Sequence, residues 1–211
     1  MKTLLLVDLQ QDFLPGGPLA VPEGDQVVPC ANRWMPRYDL VVASKDWHPP
    51  GHASFASQHP GHRPGETIRL DGLEQLLWPD HCVQNTPGAE FAPGLQTELI
   101  TEVFLKGCDP RLDSYSAFFD NAHRRTTGLD TWLRQQGVQE LDVMGLATDY
   151  CVRFTVLDAL ECGFHVRVLA DGCRGIDQHP GDLDRAWQTM QDAGAQLHFG
   201  PLPFGQRPSA P

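Results

Sequence analysis

The sequence predicts an α/β fold, doubly wound, with helices on both faces of a largely parallel sheet. Three observations predict it. Short, continuous apolar runs rich in branched side chains recur along the chain. Helical patterns fall between the later runs. Charged side chains close the runs at their carboxyl ends. Runs that are apolar throughout, rather than alternating, are the habit of strands buried on both faces, which parallel sheets require.

In order, the runs are "TLLLVDL" (3–9), "DLVVASKDWH" (39–48), "EVFLKG" (102–107), "ELDVMGLA" (140–147), "FHVRVLADG" (164–172) and "AQLHFG" (195–200). Helical patterns cover 130–136 before the fourth run, 149–162 after it and 181–193 before the sixth. Gly163 and Gly194 stop the last two, as glycine does where a helix must end in a left-handed residue. Residues 49–94 hold many of the Pro, Gly and His residues and little periodicity. A loop of that length inside a compact domain is expected to be functional. Residues 1–200 read as one domain, and "PLPFGQRPSAP" (201–211) reads as a loosely attached tail.

A chain of 211 residues buries roughly 70% of its unfolded surface, enough for a core without disulfide or metal support. Acidic residues outnumber basic ones 27 to 16, for a net charge of −11. That sign argues against nucleic acid and against anionic membrane as main partners, because phosphate binding needs a positive footprint. No run approaches a membrane-spanning length. The start, "MKTLLLVDLQQDF", has too short an apolar stretch for an export signal. Cys30, Cys82, Cys108, Cys151, Cys162 and Cys173 show no paired CxxC spacing. Reduced thiols in the cytoplasm are therefore expected.

In open α/β sheets ligands bind beyond the carboxyl ends of the strands, where strand order reverses. The first run closes in Asp8, the second in Asp46 and His48, the third in Lys106, and the fourth leads into Cys151. Each alone has a structural explanation as a turn former or a solvated cation. Their coincidence on four successive units points to one reactive rim.

Cys151 follows "GLATDY". If Thr148 or Asp149 caps a helix, Cys151 falls in its first turn, where free N–H groups favour a thiolate. Lys106 would add a cation and Asp8 a base for the thiol proton. Taken alone, the stretch leaves a buried filler and an activated thiol equally open. Cys162, at the far end of the helix, suits the filler role.

In "DWH", residues i and i+2 of an extended segment point to one side, so Asp46 and His48 can share a ligand. "WPDHC" returns His81 beside Trp78. Two imidazoles and a carboxylate suit zinc or another first-row divalent ion. His52, His59 and His62 compete for that role or decorate a solvated loop, and the second is expected. Phe13, Trp47, Trp78 and Tyr115 supply the walls for a flat, mostly apolar ligand.

Together, "LLLVDLQQDFLPGGPLAVPEGD", "SKDWHPPGHASFASQHPG", "WPDHCVQNTPGAEF", "FLKGCDPRLDSYSAFFDN" and "VMGLATDYCVRFTVLDAL" resemble the nicotinamidase/pyrazinamidase family within the isochorismatase-like cysteine hydrolases. The likeness runs from about residue 2 to 200 with the blocks in order. It implies a six-stranded parallel sheet, a catalytic triad of Asp8, Lys106 and Cys151, and one divalent metal ion on Asp46, His48, His81 and waters. Zinc is the first expectation, with iron and manganese as alternatives.

The resemblance also implies a non-proline cis peptide at Leu146–Ala147 and an oxyanion hole from the backbone N–H groups of Ala147 and Cys151. Phe13, Trp78 and Tyr115 match positions that line the nicotinamide pocket, while Tyr150 departs from some members. The implied reaction is hydrolysis of nicotinamide, and of pyrazinamide, through a cysteine thioester in NAD salvage. Two rivals stand beside it. One is a related hydrolase of carbamoyl, ureido or isochorismate-like substrates, which generally lacks the metal site. The other is a non-catalytic metal-binding or redox-sensing protein in which Cys151 is an oxidisable thiol. The sequence leaves monomer and homo-oligomer open.

Overall fold

The computed structural model describes residues 1–200; the expected tail at 201–211 lies outside the described residues. In chain order it forms β1 (Thr3–Val7), α1 (Val27–Trp34), β2 (Leu40–Asp46), β3 (Thr67–Leu70), β4 (Leu73–Leu76), β5 (Glu102–Lys106), α2 (Leu129–Gln135), β6 (Glu140–Leu146), α3 (Arg153–Glu161), β7 (His165–Arg174), α4 (Asp182–Asp192) and β8 (Gln196–His198).

Six strands make one sheet in the order β5-β2-β1-β6-β7-β8, and every pair in it is parallel. Strand order reverses between β1 and β6, which places the ligand crevice of a doubly wound sheet above that pair. Burial follows position. All of β1 and β2 is buried, as is β6 beyond Glu140, because helices and loops cover both faces of the central strands. At the edge strand β5 only Lys106 is buried.

β6 meets β1 with Gly145 opposite Val7. Gly145 has φ +141°, and a Cβ there would sit 2.1 Å from the Val7 carbonyl oxygen. Only glycine permits so close an approach of the two strands that flank the crevice.

Three features depart from the sequence reading. The stretch 27–34 is a helix, burying Val27, Val28, Cys30, Ala31 and Trp34. Pro29 lies in its first turn, where the missing N–H is not needed, so the proline that disguises the helix does not break it. The long loop at 49–94 contains the antiparallel hairpin β3–β4. β7 runs on to Arg174 past a register shift against β6 between Val143 and Gly145. All six cysteines are free. No helix among the described residues is long and apolar enough to cross a membrane.

Candidate active site

β1 delivers Asp8 to the crevice in a left-handed conformation, φ +52°. A non-glycine residue there is uncommon and turns the chain sharply off the strand. Its carboxylate is fully buried. Ser44 Oγ donates to Oδ1 at 2.6 Å, and Lys106 Nζ pairs with Oδ2 at 2.9 Å. The same ammonium lies 3.1 Å from Asp46 Oδ1, donates to the Ser114 carbonyl at 2.9 Å and reaches Cys151 Sγ at 3.4 Å. The structure thus brings Asp8, Lys106 and Cys151 together around one buried cation.

The electrostatics are those of a site with little water. Burial raises the Asp8 carboxyl above its ordinary range; Lys106 opposes the rise and Asp46 adds to it. Burial alone would discharge Lys106, but Asp46 and Asp8 outweigh it and hold the ammonium charged. Burial also pushes the Cys151 thiol well up; Lys106 works against this, and Asp8 and Asp46 reinforce it. The expected depressed thiol is therefore not the resting state. Desolvation exceeds the help of one lysine when two carboxylates stand close by.

The expected side-chain cap is also absent. The chain leaves β6 through a cis peptide at Leu146–Ala147 and enters α3 by a single π-turn, Thr148–Val152, in which the Ala147 carbonyl accepts from Val152 N at 3.1 Å. Ala147 is the capping residue, with no side-chain cap bond. The Thr148 hydroxyl is buried without a partner. Asp149 instead accepts from the backbone N–H groups of Ile176 and Asp177, at 3.0 and 2.8 Å, tying the exit of β7 to the turn that carries Cys151.

Beside this cluster, Asp46 Oδ2 lies 3.1 Å from His48 Nε2 and 3.3 Å from His81 Nε2. The ligand atoms of all three residues fall within 4.8 Å of one another. Each imidazole has its other nitrogen occupied: His48 Nδ1 lies 3.0 Å from the Gly107 carbonyl and His81 Nδ1 2.8 Å from the Pro79 carbonyl. A carbonyl can only accept, so each Nδ1 carries the proton and each Nε2 is left facing inward. His48 Nε2 is buried with no hydrogen-bond partner. Two imidazole nitrogens and a carboxylate converging on one point are a donor set that fits zinc or another first-row divalent ion. Gly107 belongs to this arrangement. At φ +66°, a Cβ on it would come within 2.5 Å of His48 Cε1.

Burial opposes ionisation of Asp46, but His48 and Lys106 hold its carboxyl well below the usual range. His52 is not on a solvated loop as expected. It is fully buried, its ring 4.3 Å from that of His48, with Nδ1 2.8 Å from Ser54 Oγ. His59 contacts the Ala53 carbonyl, and exposed His62 pairs with Glu66.

One cavity, about 320 Å³ of empty space partly open to solvent, joins the two clusters. It is lined by Phe13, Asp46, Trp78, His81, Tyr115, Ala147, Tyr150 and Cys151, and also by Leu19, Asp113 and Ile176. Tyr150 stands edge-on to Trp78 at 4.8 Å and to Tyr115 at 5.7 Å, and Trp78 Nε1 donates to the Tyr115 hydroxyl at 3.2 Å. Trp47 lies away from this wall, under the Lys45 ammonium at 4.5 Å. Ile176 follows the carboxyl end of β7, which runs past residue 172 where the fifth apolar run ends, so no strand-end signal in the sequence marks it. Asp113, two residues before Tyr115, carries no such signal either.

The fold and the site define a class: a doubly wound α/β protein with a buried Asp–Lys–Cys cluster and an Asp–His–His cation site at the switch point. The Isochorismatase domain model matches residues 2–198, and the chain belongs to that hydrolase family. It is similar to the nicotinamidase of Escherichia coli strain K12, 57% identical over 201 residues, covering 93% of this chain and 94% of that one. Among solved structures it is similar to an Acinetobacter baumannii nicotinamidase pyrazinamidase, with TM-score 0.90, 45% identity and coverage of 93% and 94% of the two chains. It is also similar to the pyrazinamidase of Pyrococcus horikoshii in complex with zinc, with TM-score 0.76, 39% identity and coverage of 93% and 98%.

Proposed function

We propose that this protein is a nicotinamidase, hydrolysing nicotinamide to nicotinate and ammonia in NAD salvage, with pyrazinamide as a second substrate. The observation that carries the reading is the placement of Cys151 Sγ 3.4 Å from Lys106 Nζ, in the same cavity as His81 and an aromatic wall. The similarity to nicotinamidases over nearly the whole chain supports the substrate.

In this mechanism Asp8 takes the Cys151 proton. Its raised carboxyl is a stronger base than an exposed aspartate. Lys106 holds the thiolate. Sulfur attacks the carboxamide carbon, and the backbone N–H groups of Ala147 and Cys151 receive the developing oxyanion. Losing one such donor typically costs about 10²–10³ in rate. The C–N bond breaks as Asp8 returns its proton to the leaving ammonia. Water, deprotonated by Asp8, then attacks the thioester, releasing nicotinate and restoring the thiol.

Asp46, His48 and His81 are the residues that would hold a divalent ion, zinc foremost, as the zinc complex of the Pyrococcus horikoshii relative suggests. The chemistry such an ion supplies is an electrophilic anchor for a ring nitrogen or its bound water. Phe13, Trp78, Tyr115 and Tyr150 enclose the ring. Six free thiols accord with a reducing cytoplasm.

The test is kcat/KM on nicotinamide, pyrazinamide and a ureido substrate, with metal content measured on the same sample. Nicotinamide is expected to exceed the ureido substrate at least about 100-fold; a site whose polar groups the wrong ligand leaves unpaired discriminates by up to about 10⁴–10⁵. Turnover of the ureido substrate alone would replace this reading with another hydrolase of the family.

A further inference from the structure

We infer that Gln10 is a positioning residue for the cation site: its side-chain amide replaces a missing strand beside Asp46. The inference rests on the reading that Asp46, His48 and His81 hold a divalent ion. The β1–β2 ladder ends at Val7 opposite Ser44, because Asp8 turns the chain away. β2 continues two residues further, to Asp46. There the backbone N–H and C=O of Asp46 face the side that β1 has vacated. Gln10 fills it. Asp46 N donates to Gln10 Oε1 at 2.7 Å, and Gln10 Nε2 donates to the Asp46 carbonyl at 2.7 Å. This is the two-way pairing that a neighbouring peptide unit would have given.

The second Nε2 proton goes to the Ala89 carbonyl at 2.9 Å, and the backbone of Gln10 bridges Phe91. One fully buried amide, with both Nε2 protons donated and its Oε1 accepting one N–H, therefore clamps together three segments. These are the turn bearing Asp8, the strand end bearing Asp46 and the loop that runs on from His81. On its other side Asp46 is held by the ladder to Lys106. Outer groups that orient metal ligands typically change affinity about 10–100-fold when removed.

The experiment measures the zinc dissociation constant of the purified full chain by chelator competition, beside the thermal unfolding of the metal-free proteins. Gln10→Leu removes the clamp at similar volume. Its zinc dissociation constant is expected to rise about 10–100-fold. Gln10→Glu, whose buried carboxyl faces two carbonyls and so stays in the acid form, keeps one donor and one acceptor and is expected to lie between. A Gln10→Leu chain that melts earlier but binds zinc as tightly as the wild type would overturn the inference, leaving Gln10 a purely structural residue. If Gln10→Leu shows no cooperative melt, Gln10→Glu decides by the same comparison. A wild-type chain that bound no divalent ion would overturn the cation reading and this inference together.

Discussion

Lys106 Nζ lies 3.4 Å from Cys151 Sγ, and Lys106 is the one buried residue of an edge strand. The pair is held from both sides, by Asp8 at 2.9 Å and Asp46 at 3.1 Å. An ammonium among two carboxylates and a thiol is the main stabiliser of a thiolate at this place. Lys106→Met removes that cation and leaves Asp8 buried without its partner. Breaking a buried ion pair by removing one member costs about 3–5 kcal/mol, so the melting temperature should fall. Amidase kcat should fall at least about 100-fold, the scale set by losing one preorganised charge-stabilising group. Turnover within tenfold of wild type would remove Lys106 from the proposed mechanism.

Ser44 tests the base. Its hydroxyl donates to Asp8 Oδ1 at 2.6 Å and holds the Asp8 carboxyl lower than burial alone would. Ser44→Ala deletes that donor, so the Asp8 carboxyl should rise further. A base must be unprotonated to act, so the acid limb of the kcat/KM profile should move to higher pH. The lost bond to a charged group is worth about 1.5–3 kcal/mol. An acid limb that stayed in place, or moved to lower pH, would count against Asp8 as the proton acceptor.

What could be read from the sequence, and what could not, follows from how each feature is encoded. Asp8, Asp46, Lys106 and Cys151 were visible because apolar runs mark strands and a doubly wound sheet collects their carboxyl ends on one rim. α1 was hidden by Pro29, which a helix tolerates only in its first turn. The hairpin β3–β4 lacks a buried face, its burial pattern being mostly exposed or intermediate, so no clean alternation marked it. The buried state of His52 and the bonds of Asp149 to Ile176 and Asp177 depend on contacts far along the chain. So does the rise of the Cys151 thiol. Helix position and one lysine pointed down, while desolvation, which no local pattern records, points up and wins.

Gly145 separates packing from chemistry. A methyl on it would lie 2.1 Å from the Val7 carbonyl oxygen, in backbone that cannot yield cheaply. Gly145→Ala should force β6 from β1 and cost about 1–3 kcal/mol or more, as overpacking does. Gly163→Ala is the control. It too has a positive φ, +87°, but nothing within 4 Å of the added carbon, so only the backbone penalty of about 1 kcal/mol remains. Equal losses of melting temperature in the two variants would show that the close approach of β6 to β1 is not what requires glycine.

The tyrosines offer a test that needs no substrate. The chain has three, Tyr38, Tyr115 and Tyr150. Burial raises all three phenols. Asp142 adds to the rise at Tyr38 and Asp113 at Tyr115; Tyr150 is pushed up to about 12 by burial with Asp149 and Asp182. In an unfolded chain each titrates near about 10. Between those values the unfolded chain gives up phenolic protons that the folded chain keeps. The unfolded state then binds fewer protons, so stability falls as pH rises. This contribution is complete below about pH 10 and is lost as pH climbs through the folded values. A rapid pH jump to about 11, followed by the tyrosinate absorbance band and by near-ultraviolet circular dichroism, should show little tyrosinate while the dichroism is native. Absorbance should then grow at the rate of unfolding. Prompt ionisation of even one tyrosine in a chain with native dichroism would contradict the partial burial that raises these phenols.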